Sequence, residues 1–120
     1  MLDLELCNSE LKLAAVVWEH EPLGSGELVR LCQSQLNWKK STTYTILKKL
    51  CERGILRNEN TIVTSIIKQK HIQKFESRRA VDTLFNGSLS DFLAAYLEDR
   101  TLDKKEASSI KRLIDQCQKE

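Results

Sequence analysis

Proline is almost absent from this sequence: Pro22 stands alone in 120 residues, and only four glycines join it. So little punctuation argues against a strand-rich fold and favours long helices. No apolar run approaches the length of a membrane span. Asp3, Glu5 and Glu10 occupy the first ten residues, where an export signal would carry positive charge. A cytoplasmic location without membrane insertion is therefore expected. The four cysteines, Cys7, Cys32, Cys51 and Cys117, lack the close pairs of a zinc or copper site and are expected to act as small apolar fillers. His20 and His71 stand apart from any nucleophile or metal partner, and no Gly-rich phosphate loop or set-apart carboxylate pair occurs. Both are read as surface residues. Neither an enzyme nor a cofactor or metal site is expected.

A strong net charge is also missing, since the chain carries only +2. Its distribution is uneven. Residues 1–38 carry Lys12 and Arg30 against six acids, a net of −4, whereas residues 39–57 carry six basic residues against Glu52 alone, a net of +5. Positive charge thus concentrates in one short stretch, and its place in the fold decides whether it means more than a solvated surface.

Asn8 or Ser9 is a plausible cap for a first helix with Leu11, Ala14, Ala15 and Trp18 at helical spacing, ending at Pro22 and Gly24. Ser25 offers the next cap, for a short second helix with Leu28, Leu31 and Cys32 inward. A third helix is expected from about Lys40 to Arg53, with Thr43, Ile46, Leu47 and Leu50 on its apolar side and Gly54 as its stop. Ile55 to Ile67, rich in β-branched residues and broken at Asn58-Glu59-Asn60, reads as two strands around a polar turn. Three helices followed by a hairpin are the order of a winged helix-turn-helix domain. Trp18 and Trp38 are placed in its core.

A fourth helix over about Gln69–Phe85 changes phase: Ile72 and Phe75 share one side, while Val81, Leu84 and Phe85 face the other way. It reads as a connector, closed by Asn86-Gly87. Leu89, Phe92, Leu93, Tyr96 and Leu97 then form an amphipathic stripe, and a capping box of Asp103 and Glu106 opens a last helix bearing Ile110, Leu113, Ile114 and Cys117. About 35 C-terminal residues are too few to hold together alone. Leu89, Phe92, Leu93, Tyr96, Leu97, Ile110, Leu113 and Ile114 are therefore expected to form a homodimer interface, with folding back on the first domain as the alternative. The chain is divided into a winged-helix DNA-binding domain over 1–69 and a connector with a helical dimerisation region over 70–120, mainly α overall.

Opposite the apolar side of the third helix stand Ser41, Thr45, Lys48 and Glu52, flanked by Thr42, Tyr44 and Lys49, so its outer face is mostly hydroxyls and ammoniums. Thr42 and Thr45 offer a hydroxyl and a methyl to base edges, with Ser41 beside them. Tyr44 suits a phosphate or sugar, Lys48 and Lys49 a base edge or the backbone, and Lys39 and Lys40 the phosphates near the helix start. These eight residues are the candidate contacts to a double-stranded DNA operator. Asn58, Asn60 and Thr61 are read first as turn residues. Two other classes remain open: a winged-helix protein–protein adaptor without DNA binding, and a thiol-based redox-responsive regulator.

The segments VVWEHEPLGSGELV, NWKKSTTYTILKKLCERGIL and FNGSLSDFLAAYLE together resemble the penicillinase repressor family. The most specific element is the run Trp38, Thr42, Thr45, Leu47, Lys48, Lys49, Leu50 and then Gly54. The resemblance implies a homodimer that represses transcription at a palindromic operator, with its two base-facing threonines at Thr42 and Thr45 and its basic positions at Lys48 and Lys49. It also implies a sensor or protease partner. Three departures accompany it. Lys39 stands where the family has a Ser cap, which shifts the expected helix start towards Ser41. The wing is about three residues short and lacks an Asp-Gly-Arg-like turn. Ala95-Tyr96 replaces the Asn-Phe pair cleaved in family members that control β-lactam resistance, and the tail lacks the Cys-x-Cys pairs of the copper-responsive branch.

Overall fold

A computed structural model describes residues 3–119; Met1, Leu2 and Glu120, the ends of the two expected domains, lie outside the described residues. The chain divides into two compact units, Met1–Arg79 and Ala80–Glu120. The first is a winged helix-turn-helix.

Helix α1 (Asn8–His20) is capped by Cys7, not by Asn8 or Ser9. The Glu10 carboxylate reaches back to accept the Cys7 backbone N–H at 3.0 Å, which fixes the start one residue earlier. Its buried side also differs from expectation: Leu13, Ala14, Val16 and Val17 point inward, while Leu11 and Ala15 are exposed. Residues 11–18 are apolar at all but one position, so periodicity alone leaves the helix rotation undecided. Glu10 supplies the missing constraint. It is only 5% exposed, and it accepts a 2.8 Å bond from Arg53 Nη1. The Nη2 of Arg53 donates to the carbonyls of Asp3 at 3.1 Å and Glu5 at 2.7 Å. One guanidinium thereby ties the N-terminal segment and α1 to the end of the third helix.

After α1 comes a strand that the sequence reading lacks, β1 (Leu23–Gly24). It leads into α2 (Ser25–Leu36), capped by Gly24; Ser25, expected as the cap, is buried one residue inside, and its N–H donates to Thr61 O at 2.8 Å. Asn37, at φ 56°, turns the chain, and the Trp38 N–H closes on Cys32 O at 3.2 Å. Helix α3 (Lys40–Glu52) follows with Lys39 as cap, so the shift towards Ser41 does not occur. Gly54 stops it at φ 77°.

The wing consists of β2 (Leu56–Glu59) and β3 (Ile62–Ser65), which pair antiparallel. Its turn is Asn60-Thr61, both at positive φ, whereas Asn58 and Glu59 belong to β2, opposite Val63 and Ile62. The break at Asn58 is thus corrected by two residues, because a tight turn with left-handed central residues matches the strand twist. Strand β1 adds to the free side of β3, giving the order β1-β3-β2. At the base of the wing, Glu21 accepts from Ser65 N at 2.8 Å and Ser65 Oγ at 2.7 Å, and Trp18 Nε1 donates to Ile67 O at 3.0 Å. The core beneath is Leu13, Val17, Leu28, Cys32, Leu47, Leu50, Ile55, Leu56 and Val63, with Trp38 packed against it.

Helix α4 (Gln69–Phe85) crosses the division between the units. In the first unit it buries Ile72 and half-buries Phe75; in the second, Val81 and Phe85 are half-buried and Leu84 is exposed. The second unit continues through Asn86 and Gly87, at φ 51° and 82°, into α5 (Leu89–Leu97) and α6 (Lys104–Cys117). Ser88 Oγ accepts from Asp91 N, and Asp103 Oδ1 from Glu106 N at 2.8 Å, the forward half of the expected capping box. Phe92 meets Phe85 edge-on at 5.7 Å and stacks with Tyr96 at 6.2 Å. No residue of α5 or α6 is buried.

Desolvation pushes the Glu10 carboxyl up, but the Cys7 N–H and the Arg53 guanidinium outweigh it and hold the group below its ordinary 4.5. The unfolded chain therefore takes up this proton first. The stabilisation is complete above about pH 4.5 and is lost as pH falls through the lower folded value. Glu10→Gln is expected to cost about 2 kcal/mol at pH 7 and to flatten the decline in stability below pH 4.5. Urea unfolding at pH 7 and pH 3.5 checks both; an unchanged acid limb would contradict the assignment.

Candidate nucleic-acid interface

Burial of Thr43, Leu47 and Leu50 dictates what α3 shows to solvent. At 3.6 residues per turn, one buried stripe leaves the opposite positions outward. Lys40, Ser41, Thr42, Tyr44, Thr45, Lys48 and Lys49 are all exposed, as is Lys39 at the cap. Ile46 sits at the margin, half-buried. All eight candidate residues are thus exposed along α3 and its cap, a length of about 20 Å.

The electrostatics of this surface are uneven. Among the described residues, Lys39, Lys40, Lys48 and Lys49 enter no ion pair, whereas Arg53 is held inward by Glu10, with Asp3 at 3.6 Å. Charge counted along residues 39–57 therefore overstates what faces outward by one guanidinium. That inward role was not legible in the sequence, since Glu10 and Arg53 lie 43 residues apart. Lys40 Nζ lies 6.0 Å from the Tyr44 ring centroid, a loose cation–π approach. The Thr45 hydroxyl donates to the Ser41 carbonyl at 2.8 Å, and buried Thr43 donates to Lys39 O at 3.4 Å. On the wing, Asn58, Asn60 and Thr61 are exposed, and so is Arg57, paired across the ladder with Thr64.

The remaining sequence candidates separate into two groups. His20 Nδ1 lies 3.0 Å from Val16 O, half-buried, and His71 Nδ1 accepts the Lys68 N–H. Among the described residues, no cluster of three or more His, Cys, Asp or Glu side chains could hold a metal ion. Of the cysteines, only Cys32 fills the core; Cys51 is half-buried, and Cys7 and Cys117 are exposed, which corrects the reading of all four as fillers. Burial pushes the Cys32 thiol up against the smaller opposing effect of Thr43, and burial with Glu52 pushes Cys51 up.

In the second unit, the apolar stripe is open to solvent. Leu89 is 56% exposed, Tyr96 55%, Leu113 61% and Ile114 50%, with Phe92, Leu93, Leu97 and Ile110 half-buried. Leu89, Leu113, Ile114 and Cys117 line a shallow apolar groove there.

Comparison with known proteins sets these surfaces in context. A family model described as penicillinase repressor matches residues 6–116. The chain is 20% identical over 116 residues to the penicillinase repressor of Bacillus licheniformis, covering 93% of this chain and 91% of the relative. It is 22% identical over 114 residues to an uncharacterised 16.5 kDa protein in the ptsI 3' region of Latilactobacillus sakei, covering 92% and 78% respectively.

Thiol accessibility gives a direct check on the packing around α3. Native protein treated with an aromatic disulfide reagent is expected to release the exposed Cys7 and Cys117 equivalents quickly, with Cys32 reacting only on unfolding. Rapid modification of Cys32 in a Cys7→Ser, Cys51→Ser, Cys117→Ser background would contradict the burial of this face.

Proposed function

The chain belongs to the penicillinase repressor family, and from that premise we propose that it is a homodimeric transcriptional repressor that lays α3 in the major groove of a palindromic operator. The observation that carries this reading is the exposed surface of α3 and its cap: four lysines that enter no ion pair among the described residues, and a row of hydroxyls held outward by a buried stripe. Lys39, Lys40, Lys48 and Lys49 neutralise phosphates and supply salt-dependent affinity, while Ser41, Thr42 and Thr45 face base edges and Tyr44 lies along the backbone. The first unit is the reader and the second the pairing element.

Dimerisation follows from the second unit. Leu89, Phe92, Leu93, Tyr96, Leu97, Ile110, Leu113 and Ile114 form the shared patch, since a two-fold axis covers the same surface on both copies and presents two reading helices to two half-sites. The protein works in the cytoplasm, where its operator is. A sensor or protease partner belongs to the family's resistance branch; here it would meet Ala95-Tyr96, both exposed within α5, in place of Asn-Phe.

Fluorescence anisotropy against the promoter region beside the chain's own gene, at stated salt, tests this function. Affinity about a thousandfold above random DNA is expected, and Lys48→Ala and Lys49→Ala should each lower the salt slope by about 0.9. Equal affinity for both DNAs would contradict the reading. Leu113→Asp combined with Ile114→Asp should convert the dimer to monomer in sedimentation equilibrium, with the first unit still folded.

A further inference from the structure

Thr42 and Thr45 are both exposed on α3, yet their hydroxyls are in different states. The Thr45 Oγ1 donates its proton to the Ser41 carbonyl at 2.8 Å, an ordinary O–H···O length. Among the described residues, nothing bonds the Thr42 hydroxyl. The cause is the position of each threonine relative to the helix start. A threonine four residues beyond a helical carbonyl can bond back to it, and Ser41 already lies inside α3. Four residues before Thr42 stands Trp38, ahead of the Lys39 cap, where the ladder has not begun; its first rung is Thr43 N to Lys39 O at 3.1 Å.

We propose that the two threonines read different chemistry: Thr42 is the hydrogen-bonding reader, and Thr45 is a methyl reader that packs on the 5-methyl of a thymine. This rests on α3 lying in the major groove. With its proton committed to Ser41, Thr45 has no donor left for the guanine O6 and N7 acceptors, and its oxygen would face theirs. Its oxygen is left only as an acceptor, for adenine N6 or cytosine N4, whereas the Cγ2 methyl has an apolar partner in the groove, the thymine methyl. Thr42, by contrast, keeps a rotatable hydroxyl that donates or accepts according to the base it meets.

The test begins with a duplex selected from a randomised pool by the full-length protein, in which each thymine is then replaced singly by deoxyuridine. At one thymine per half-site, loss of the methyl should weaken wild-type binding about fourfold. Thr45→Ser, which keeps the hydroxyl and drops the methyl, should abolish that dependence. Thr45→Val, which keeps the methyl and drops the hydroxyl, should preserve it. Thr42→Val should broaden base preference at a different position, and Thr42→Ser should not. Indifference to deoxyuridine everywhere, a deoxyuridine effect that survives in Thr45→Ser, or broadened preference in Thr45→Val overturns the proposal alone. A pool that yields no preferred duplex removes the DNA reading beneath it, and the proposal with it.

Discussion

The rotation of α3 about its own axis depends on one buried stripe. Thr43, Leu47 and Leu50 are at most 2% exposed and lock against Leu28 and Cys32 of α2 and Leu13 and Val17 of α1. A turn of 100° would bury Tyr44 and Lys48, at the cost of desolvating an ammonium with no partner. The outer face is thus the complement of the inner one. Nothing on that face has to be selected for folding, which leaves its hydroxyls and ammoniums available for recognition. Thr43 shows the same constraint from inside: the residue is buried, yet its hydroxyl donates to Lys39 O, so a polar side chain sits in the core without an orphaned group.

Rotation alone does not fix the axial position of a helix, and here Arg53 provides the second anchor. As the residue capping α3, it reaches the buried Glu10 carboxylate and two N-terminal carbonyls at once. A cation at a helix C-terminus also complements the partial negative charge of the last carbonyls. The ion pair therefore ties the start of α1 to the end of α3. At the other side of the domain, Glu21 does equivalent work for the wing by gathering the Ser65 backbone, the Ser65 hydroxyl and Lys68. Two acids that look like surface charge in the sequence thus define the frame on which α3 and the wing are mounted.

This explains which parts of the structure were legible from sequence. The limits of α3 and α4 and the stripe Thr43, Leu47, Leu50 follow from local periodicity and stop residues, because each depends on neighbours within one or two turns. The face of α1 does not: its apolar residues lie nearly all round, and its rotation is set by a partner 43 residues away. Strand β1 is two residues long and exists only because β3 lies alongside it, at Leu23–Val63 and Gly24–Ile62. The wing turn was displaced for a similar reason. Asn58 is as good a turn former as Asn60, and only the pairing of Leu56 with Ser65 decides which of them leaves the ladder. The exposure of the seven candidate residues in α3, and of Lys39 at its cap, was legible from a local pattern; the different states of Thr42 and Thr45 were not, because they depend on where the first helical carbonyl falls.

The two units differ in how their apolar surface is disposed of. In the first, three helices and a three-stranded sheet enclose a core of fully buried side chains. In the second, α5 and α6 bury nothing completely, and Leu84, Leu89, Leu113 and Ile114 stay half or more exposed. Isolated exposed leucines are common on monomers, but four such residues, with Tyr96, on one small unit form a surface that water disfavours. Its helices are nonetheless well capped, by Ser88 and Asp103, so the backbone is specified while the side-chain packing is left incomplete. A unit built that way suits completion by an identical copy, since the stripe need only complement itself. In the proposed dimer, folding of the pairing element and the spacing of the two α3 helices become one event, so that anything disturbing the stripe also disturbs simultaneous reading of both half-sites.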